Sequence, residues 1–231
     1  MPVNQFKALL VEGIPGIGKS TLIDALIRQH VDAAQPRKIR TFVHLAQSHT
    51  QGPLASAEDA GTLTVYDNQQ HIERIVSIIE WLHTCVQDQT LTKCFVLIDC
   101  LHLTHCVRPG VVTWSDVAGF DRRLAALGCK LLFLRVSPEN VWNRSLIARA
   151  DWPFIRVYAA KFGTTHEELH RYFQSEQERI AGMFEQSAMP KLLMQNDGTL
   201  EDVLTEAERF WMEDPEGELV PSAQNHVGDP A

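Results

Sequence analysis

No apolar run in the chain approaches the roughly 20 residues that a membrane-spanning helix requires. Cysteine is sparse and poorly spaced for metal or disulfide work. Cys85, Cys94, Cys100, Cys106 and Cys129 are an odd number without a Cys-x-x-Cys pair, which argues against a disulfide scaffold and for a reduced, cytoplasmic setting. A signal peptide is not expected, because Lys7 already sits in the first strand pattern. Basic charge is short as well: 21 Lys and Arg stand against 29 Asp and Glu, a net charge of −8. Five of those acids, and no Lys or Arg, fall from Glu213 onward, so the rest of the chain carries about −3. Neither value suits a nucleic-acid groove, whose basic face must neutralise phosphates. Residues 213–231 are rich in Pro, Gly and polar side chains, and read as a disordered acidic tail behind a single domain spanning 1–212.

What is present is enough apolar content, 45%, to bury one full core. Strand patterns alternate with helical ones and no internal repeat is found, so the expected class is α/β, with a five-stranded parallel sheet covered on both faces. The strand candidates are Phe6 to Val11, Ile39 to Leu45, Cys94 to Asp99, Lys130 to Val136 and Lys191 to Gln195. Between the second and third, AQSHTQGPLASAEDAG reads as a loop. A long helix follows from about Asp67, with Ile72, Ile75, Val76, Ile79, Leu82 and Val86 in one apolar stripe and Trp81 and His83 packing beside it. Ser115 and Ser137 are candidate N-caps, and Thr165 to Glu168 (THEE) is a capping box.

The most informative stretch is VEGIPGIGKST, Val11 to Thr21. Gly13, four residues, then Gly18-Lys19-Ser20 is the phosphate-loop spacing. Glycines let successive amide N–H groups converge on a phosphate, here from Gly13, Gly16, Ile17, Gly18, Lys19, Ser20 and Thr21. Lys19 then reaches the β- and γ-phosphates, and the Ser20 hydroxyl takes a place on Mg²⁺. The context agrees. An apolar strand pattern precedes the loop, and TLIDALIRQH follows at helical spacing, so a helix N-terminus points at the phosphates.

Other residues gather around this nucleus. Asp99 ends the central strand, where its carboxylate is suited to hold a metal-bound water or to accept a proton from a substrate hydroxyl; turn capping is the alternative. Arg144 and Arg149 are candidates to clamp phosphates as charge builds during transfer, against solvated surface arginines. Arg149, in IARADWPF, suits a mobile lid, and Phe154 to Thr165 are expected to close over bound phosphates with it. The run CLHLTHC holds Cys100, His102, His105 and Cys106 at no standard zinc spacing, and reads as core thiols and turn histidines. His102, Arg108 and Arg74 are candidates to face an acceptor substrate.

Taken together, VEGIPGIGKST, the strand ending in Asp99, LRVSPENVWNRSLIAR and KLLMQNDGTLEDVL resemble the thymidylate kinase group of P-loop nucleoside and nucleotide kinases. The resemblance implies a three-layer P-loop kinase fold with a helical lid, ATP and Mg²⁺ as cofactors, and phosphoryl transfer to a nucleoside or nucleoside monophosphate. It makes Lys19, Asp99, Arg144 and Arg149 the catalytic set, with Ser20 and Asp99 on the metal. It puts Glu12 and Pro15 beside the acceptor, with a homodimer allowed and neither nucleic acid nor membrane as partner. Three departures concern the acceptor. Pro15 replaces an acid that contacts the sugar, Cys100 replaces the arginine of an Asp-Arg pair, and Arg135 stands where an acid is usual. Alternatives are a kinase of another hydroxyl compound such as an antibiotic, or an ATP-hydrolysing switch. The missing Asn-Lys-x-Asp motif disfavours a GTPase, and Cys100 in place of a water-activating Glu disfavours hydrolysis.

Overall fold

The computed structural model describes residues 5–32, 41–107, 111–145, 161–163 and 165–213. Its strands are β1 (Gln5–Glu12), β2 (Thr41–Leu45), β3 (Lys93–Asp99), β4 (Lys130–Arg135) and β5 (Lys191–Gln195). The helices are α1 (Lys19–Asp32), α2 (Gln47–Thr50), α3 (Gly52–Asp59), α4 (Val65–Gln87), α5 (His102–Val107), α6 (Trp114–Ala126), α7 (Pro138–Ser145), α8 (His166–Gln186) and α9 (Leu200–Met212). The five strands form one parallel sheet in the order β2-β3-β1-β4-β5. The central strands β1, β3 and β4 are buried along most of their length, because helices cover both faces of a parallel sheet. The register that matters pairs Val11 with Asp99 and Glu12 with Phe133. It sets the end of β3 beside the start of the glycine loop. Ligand sites of open α/β sheets lie at these carboxyl ends.

Two buried strand lysines anchor the last helix. Lys7 in β1 and Lys130 in β4 both donate to the Glu213 carbonyl, at 3.1 and 2.6 Å. A cation at a helix C-terminus is favoured by the unsatisfied carbonyls there. From the same helix Trp211 is fully buried, edge-on to Phe42 and Phe95.

Several local features depart from the sequence expectation. The stretch read as a loop folds into α2 and α3, with Pro53 in the first turn of α3. α4 begins at Val65 because Thr64 caps it in a box with Asp67. Its apolar stripe is buried as expected, and His83 packs edge-on to Phe6 at 5.1 Å. Trp81, in contrast, is 63% exposed on the outer face. Thr113, not Ser115, caps α6, its N–H and hydroxyl both donating to Asp116 Oδ2 at 2.7 Å. The Ser137 hydroxyl is buried without a partner among the described residues, and its amide donates to Asp197 instead. The Thr165–Glu168 capping box is present. His102 and His105 lie in the helix α5 rather than in a turn, and both are buried. The expected acidic tail beyond Glu213 and the lid expected across 154–165 fall largely outside the described residues. No helix among the described residues is long and apolar enough to cross a membrane.

Candidate active site

The loop between β1 and α1 is shaped by glycines at left-handed φ. Gly13, Gly16 and Gly18 have φ of 146°, 87° and 97°, a region that other residues enter only with strain. Gly16 also lies against the end of α7, where a Cβ would stand 2.7 Å from the Arg144 carbonyl oxygen and 2.7 Å from Ser145 Cα. The side chains of Ile14 and Ile17 are fully buried and pin the loop to the core. Asn196, just past β5, donates through Nδ2 to the Ile17 carbonyl. Two apolar anchors and the Asn196 side chain thus fix the loop, and Pro15 is partly exposed at its tip.

Lys19 is only 6% exposed, because its ammonium group folds back over the loop and donates to the carbonyls of Gly13 and Ile14 at 2.8 and 2.9 Å. Ser20 and Thr21 open the helix with exposed side chains. The Ser20 hydroxyl donates to Asp99 Oδ2 at 3.0 Å, across 79 residues of sequence. A phosphate loop, its lysine, its serine and a strand-end carboxylate are therefore assembled at one point. Asp99 is buried, and its second oxygen faces the Cys100 thiol at 3.4 Å. Burial pushes that thiol well above its ordinary range, so Cys100 is neutral here. Cys100 itself has φ 58°, and its amide returns to the Val11 carbonyl at 3.0 Å.

Beside the loop lies a cavity of about 380 Å³ lined by Gly16, Gly18, Thr21, Asn143, Arg144, Asn196 and Leu200. Arg144 borders it, donating to the Gly198 carbonyl at 2.9 Å. Asp197 secures the same corner by accepting from the Ser137 amide and from Asn140 Nδ2. Burial raises the Asp197 pKa, but hydrogen bonds from Gln195, Ser137 and Asn140 outweigh it and leave a net lowering.

The residues expected around the acceptor are placed differently. Glu12 is fully buried and ties β1 to α5, accepting from the Leu101 amide at 2.8 Å and from the Thr104 hydroxyl. Burial raises its pKa against the opposing pull of His102, those two hydrogen bonds and Lys19. His102 points into the interior, with Nε2 3.0 Å from Asp121 Oδ1. Asp121 also accepts from the Ser187 hydroxyl and the Ala188 amide, both at 2.7 Å. Burial works against the Asp121 carboxylate, yet these partners leave its pKa lowered. Arg74 is exposed on α4, because the inward positions of that helix belong to Asn68, His71, Ile72 and Ile75. Arg135 pairs with Glu178 on α8, away from the loop. Arg108 and Arg149 lie outside the described residues.

The sheet order, the loop at the end of β1 and the Ser20–Asp99 contact decide the architecture. The chain has the P-loop kinase fold. No protein-family model matches the sequence, and a sequence search of curated proteins finds no match. Solved structures resemble it in shape. YorR from Bacillus subtilis, in complex with phosphorylated GDP, superposes with a TM-score of 0.50 at 12% identity, over 87% of this chain and 96% of that one. Thymidylate kinase from Candida albicans gives 0.46 at 15% identity, over 88% and 89%. Shikimate kinase from Acinetobacter baumannii, in complex with shikimate, gives 0.40 at 12%, over 90% and 92%. At these identities the likeness speaks for the fold alone.

Proposed function

We propose that the chain is an ATP-dependent phosphotransferase that moves the γ-phosphoryl group of ATP to a small-molecule acceptor, a nucleoside or nucleoside monophosphate. The observation that carries this reading is the 3.0 Å bond from Ser20 to Asp99, directly under the glycine loop. Phosphoryl transfer needs little covalent chemistry from a protein and much positioning and charge, which this corner supplies. The loop amides and the N-terminus of α1 cradle phosphates. Lys19 exchanges the carbonyls of Gly13 and Ile14 for phosphate oxygens and follows the charge as it develops. The cavity bordered by Arg144 and Leu200 is the site for the base of the nucleotide.

One hydroxyl and one carboxylate, both hard oxygen donors, fit Mg²⁺, which takes few protein ligands and keeps waters and phosphate oxygens. Ser20 and Asp99 would hold it, and the ion would supply charge neutralisation on the phosphates. Arg149 is assigned to the lid by the sequence resemblance. The acceptor class also rests on that resemblance, narrowed by the site. Pro15 carries no carboxylate and Cys100 no charge. His102 is committed to Asp121 and Arg74 faces solvent, so neither replaces the missing cation. A thymidine monophosphate site is thus disfavoured.

The test is an ATP-consumption screen over nucleosides, nucleoside monophosphates and hydroxylated antibiotics, with mass detection of product. The expected outcome is ADP release that rises sharply with one nucleoside or nucleotide, which gains one phosphoryl group. Slow ATP loss indifferent to every added compound would favour the hydrolytic switch instead.

A further inference from the structure

The ladder between β2 and β3 ends at the pair Leu45–Ile98, so the Asp99 carbonyl lies beyond it. The next residue, Cys100, turns left-handed, at φ 58°. A side chain takes up the free carbonyl: Thr50 Oγ1 donates to Asp99 O at 2.8 Å. Thr50 ends α2, a helix of four residues that cannot hold its own position by intrahelical bonds. Its place is fixed from outside. The Thr50 carbonyl accepts from His71 Nε2 of α4 at 2.9 Å and from His105 Nε2 of α5 at 2.8 Å.

The protons in this cluster follow from elementary chemistry. A carbonyl only accepts, so both imidazoles carry hydrogen on Nε2. Burial holds His105 neutral, its pKa lowered to about 4, which leaves Nδ1 as a bare lone pair. The Asn68 amide lies against that lone pair, with Oδ1 2.9 Å from Nδ1 and Nδ2 without a partner among the described residues. Two acceptors cannot bond. The amide is therefore turned over, with Nδ2 donating to His105 and Oδ1 the spare atom. The donors then run from Asn68 to His105 to the Thr50 carbonyl, and from the Thr50 hydroxyl to Asp99.

We propose that Thr50 is a positioning residue for the Asp99 carboxylate, held by His71, His105 and Asn68, and that this buried relay tunes how firmly the site binds Mg²⁺ with ATP. The proposal rests on the phosphotransferase reading above. Helices α4 and α5 converge on the Thr50 carbonyl, and the Thr50 hydroxyl in turn holds the carbonyl of Asp99, whose side chain meets Ser20. Thr50 touches neither nucleotide nor metal; it acts through Asp99.

Calorimetric titration of the full chain with ATP, in Mg²⁺ and in EDTA, tests it. Thr50→Val keeps the shape of the side chain and removes the hydroxyl. The expected result is ATP binding weakened about tenfold in Mg²⁺, the worth of one hydrogen bond, with affinity in EDTA unchanged and Thr50→Ser restoring the wild-type value. Wild-type Mg²⁺ dependence in Thr50→Val would overturn the relay alone. Absence of any ATP binding by the wild-type chain would overturn the phosphotransferase reading, and the relay with it. Should Thr50→Val not fold, nitrogen-15 NMR of the wild-type histidines decides: Nε2–H tautomers at His71 and His105 are expected, and an Nδ1–H tautomer at His105 would break the donor chain and overturn the proposal.

Discussion

On one side of Asp99, between β1, β4 and β5, the contacts that set the shape of the cleft are mostly main-chain. Lys19 and Asn196 bond to loop carbonyls, Arg144 to the Gly198 carbonyl, and Gly16 sits against the backbone of α7. On the other side, among α2, α4 and α5, side chains do the joining: Glu12 to Thr104, His102 to Asp121, Asn68 to His105, and two histidines to Thr50. A main-chain cradle recognises phosphate, which every nucleotide shares, and depends on glycines at fixed spacing. A buried side-chain network is chemically particular and fails when one partner is lost. The first side suits a common donor. The second suits whatever is peculiar to this protein.

The largest expected effect breaks the main-chain side at the lysine of the loop. Lys19→Ala should reduce phosphoryl transfer by about 10²–10³-fold or more, the scale for loss of a transition-state donor. The chain should still fold cooperatively, with a modest drop in the thermal unfolding midpoint, because the ammonium group satisfies two loop carbonyls and faces Glu12 but anchors none of the core. Turnover and a melting curve on the same preparation check both halves.

Acid should break the side-chain network. The folded pKa of His105 is depressed from the ordinary 6.5 to about 4 by burial, against the bond to Thr50, with His71 and His102 adding repulsion. The unfolded chain therefore binds the proton first. This contribution to stability is complete above about pH 6.5 and falls as pH drops toward 4, by about 3 kcal/mol in total. Denaturant titrations between pH 7 and 4 should show that loss in the wild type and a flatter profile in His105→Gln. A parallel loss in both would remove His105 from the account.

The third prediction sharpens the contrast between common donor and particular acceptor. With Pro15 and Cys100 lacking the charges that the resemblance calls for, thymidine monophosphate should be a poorer acceptor by about a hundredfold or more. Steady-state kinetics with a kcat/KM near 10⁵ M⁻¹s⁻¹, an ordinary value for an enzyme on its own substrate, would contradict it. The smallest effect is on stability. Gly16→Ala should cost about 1–2 kcal/mol for the left-handed backbone alone, and more where its Cβ meets the Arg144 carbonyl at 2.7 Å. Its denaturation midpoint and ATP affinity should both fall.

The two sides also differ in how they are written in the chain. VEGIPGIGKST is contiguous, and its spacing alone gives the loop, its lysine and the helix that follows. The five strands are apolar runs and were legible for the same reason. Asp99 was legible as a strand end, and its partnership with Ser20 followed once β1 and β3 proved to be neighbours. The network was not legible. Thr50, Asn68, His71 and His105 come from three helices, one of them α2, inside a polar Gly-Pro segment without apolar periodicity. Sequence offered His102 to the acceptor, but Asp121, from the next helix, holds it in the interior. Trp81 was read as packing because its chemistry is apolar, although its position on α4 faces outward. The threonine caps at Thr64 and Thr113 were a missed local signal, each followed three residues later by an aspartate.

The central claim is that the Ser20–Asp99 corner serves transfer to an acceptor rather than hydrolysis. ATP labelled on its γ-phosphate tests this most directly, followed with and without the acceptor that the screen identifies. The account predicts label on the acceptor at the rate of ADP formation, with little free phosphate. Label released as inorganic phosphate at the same rate in both samples would contradict it.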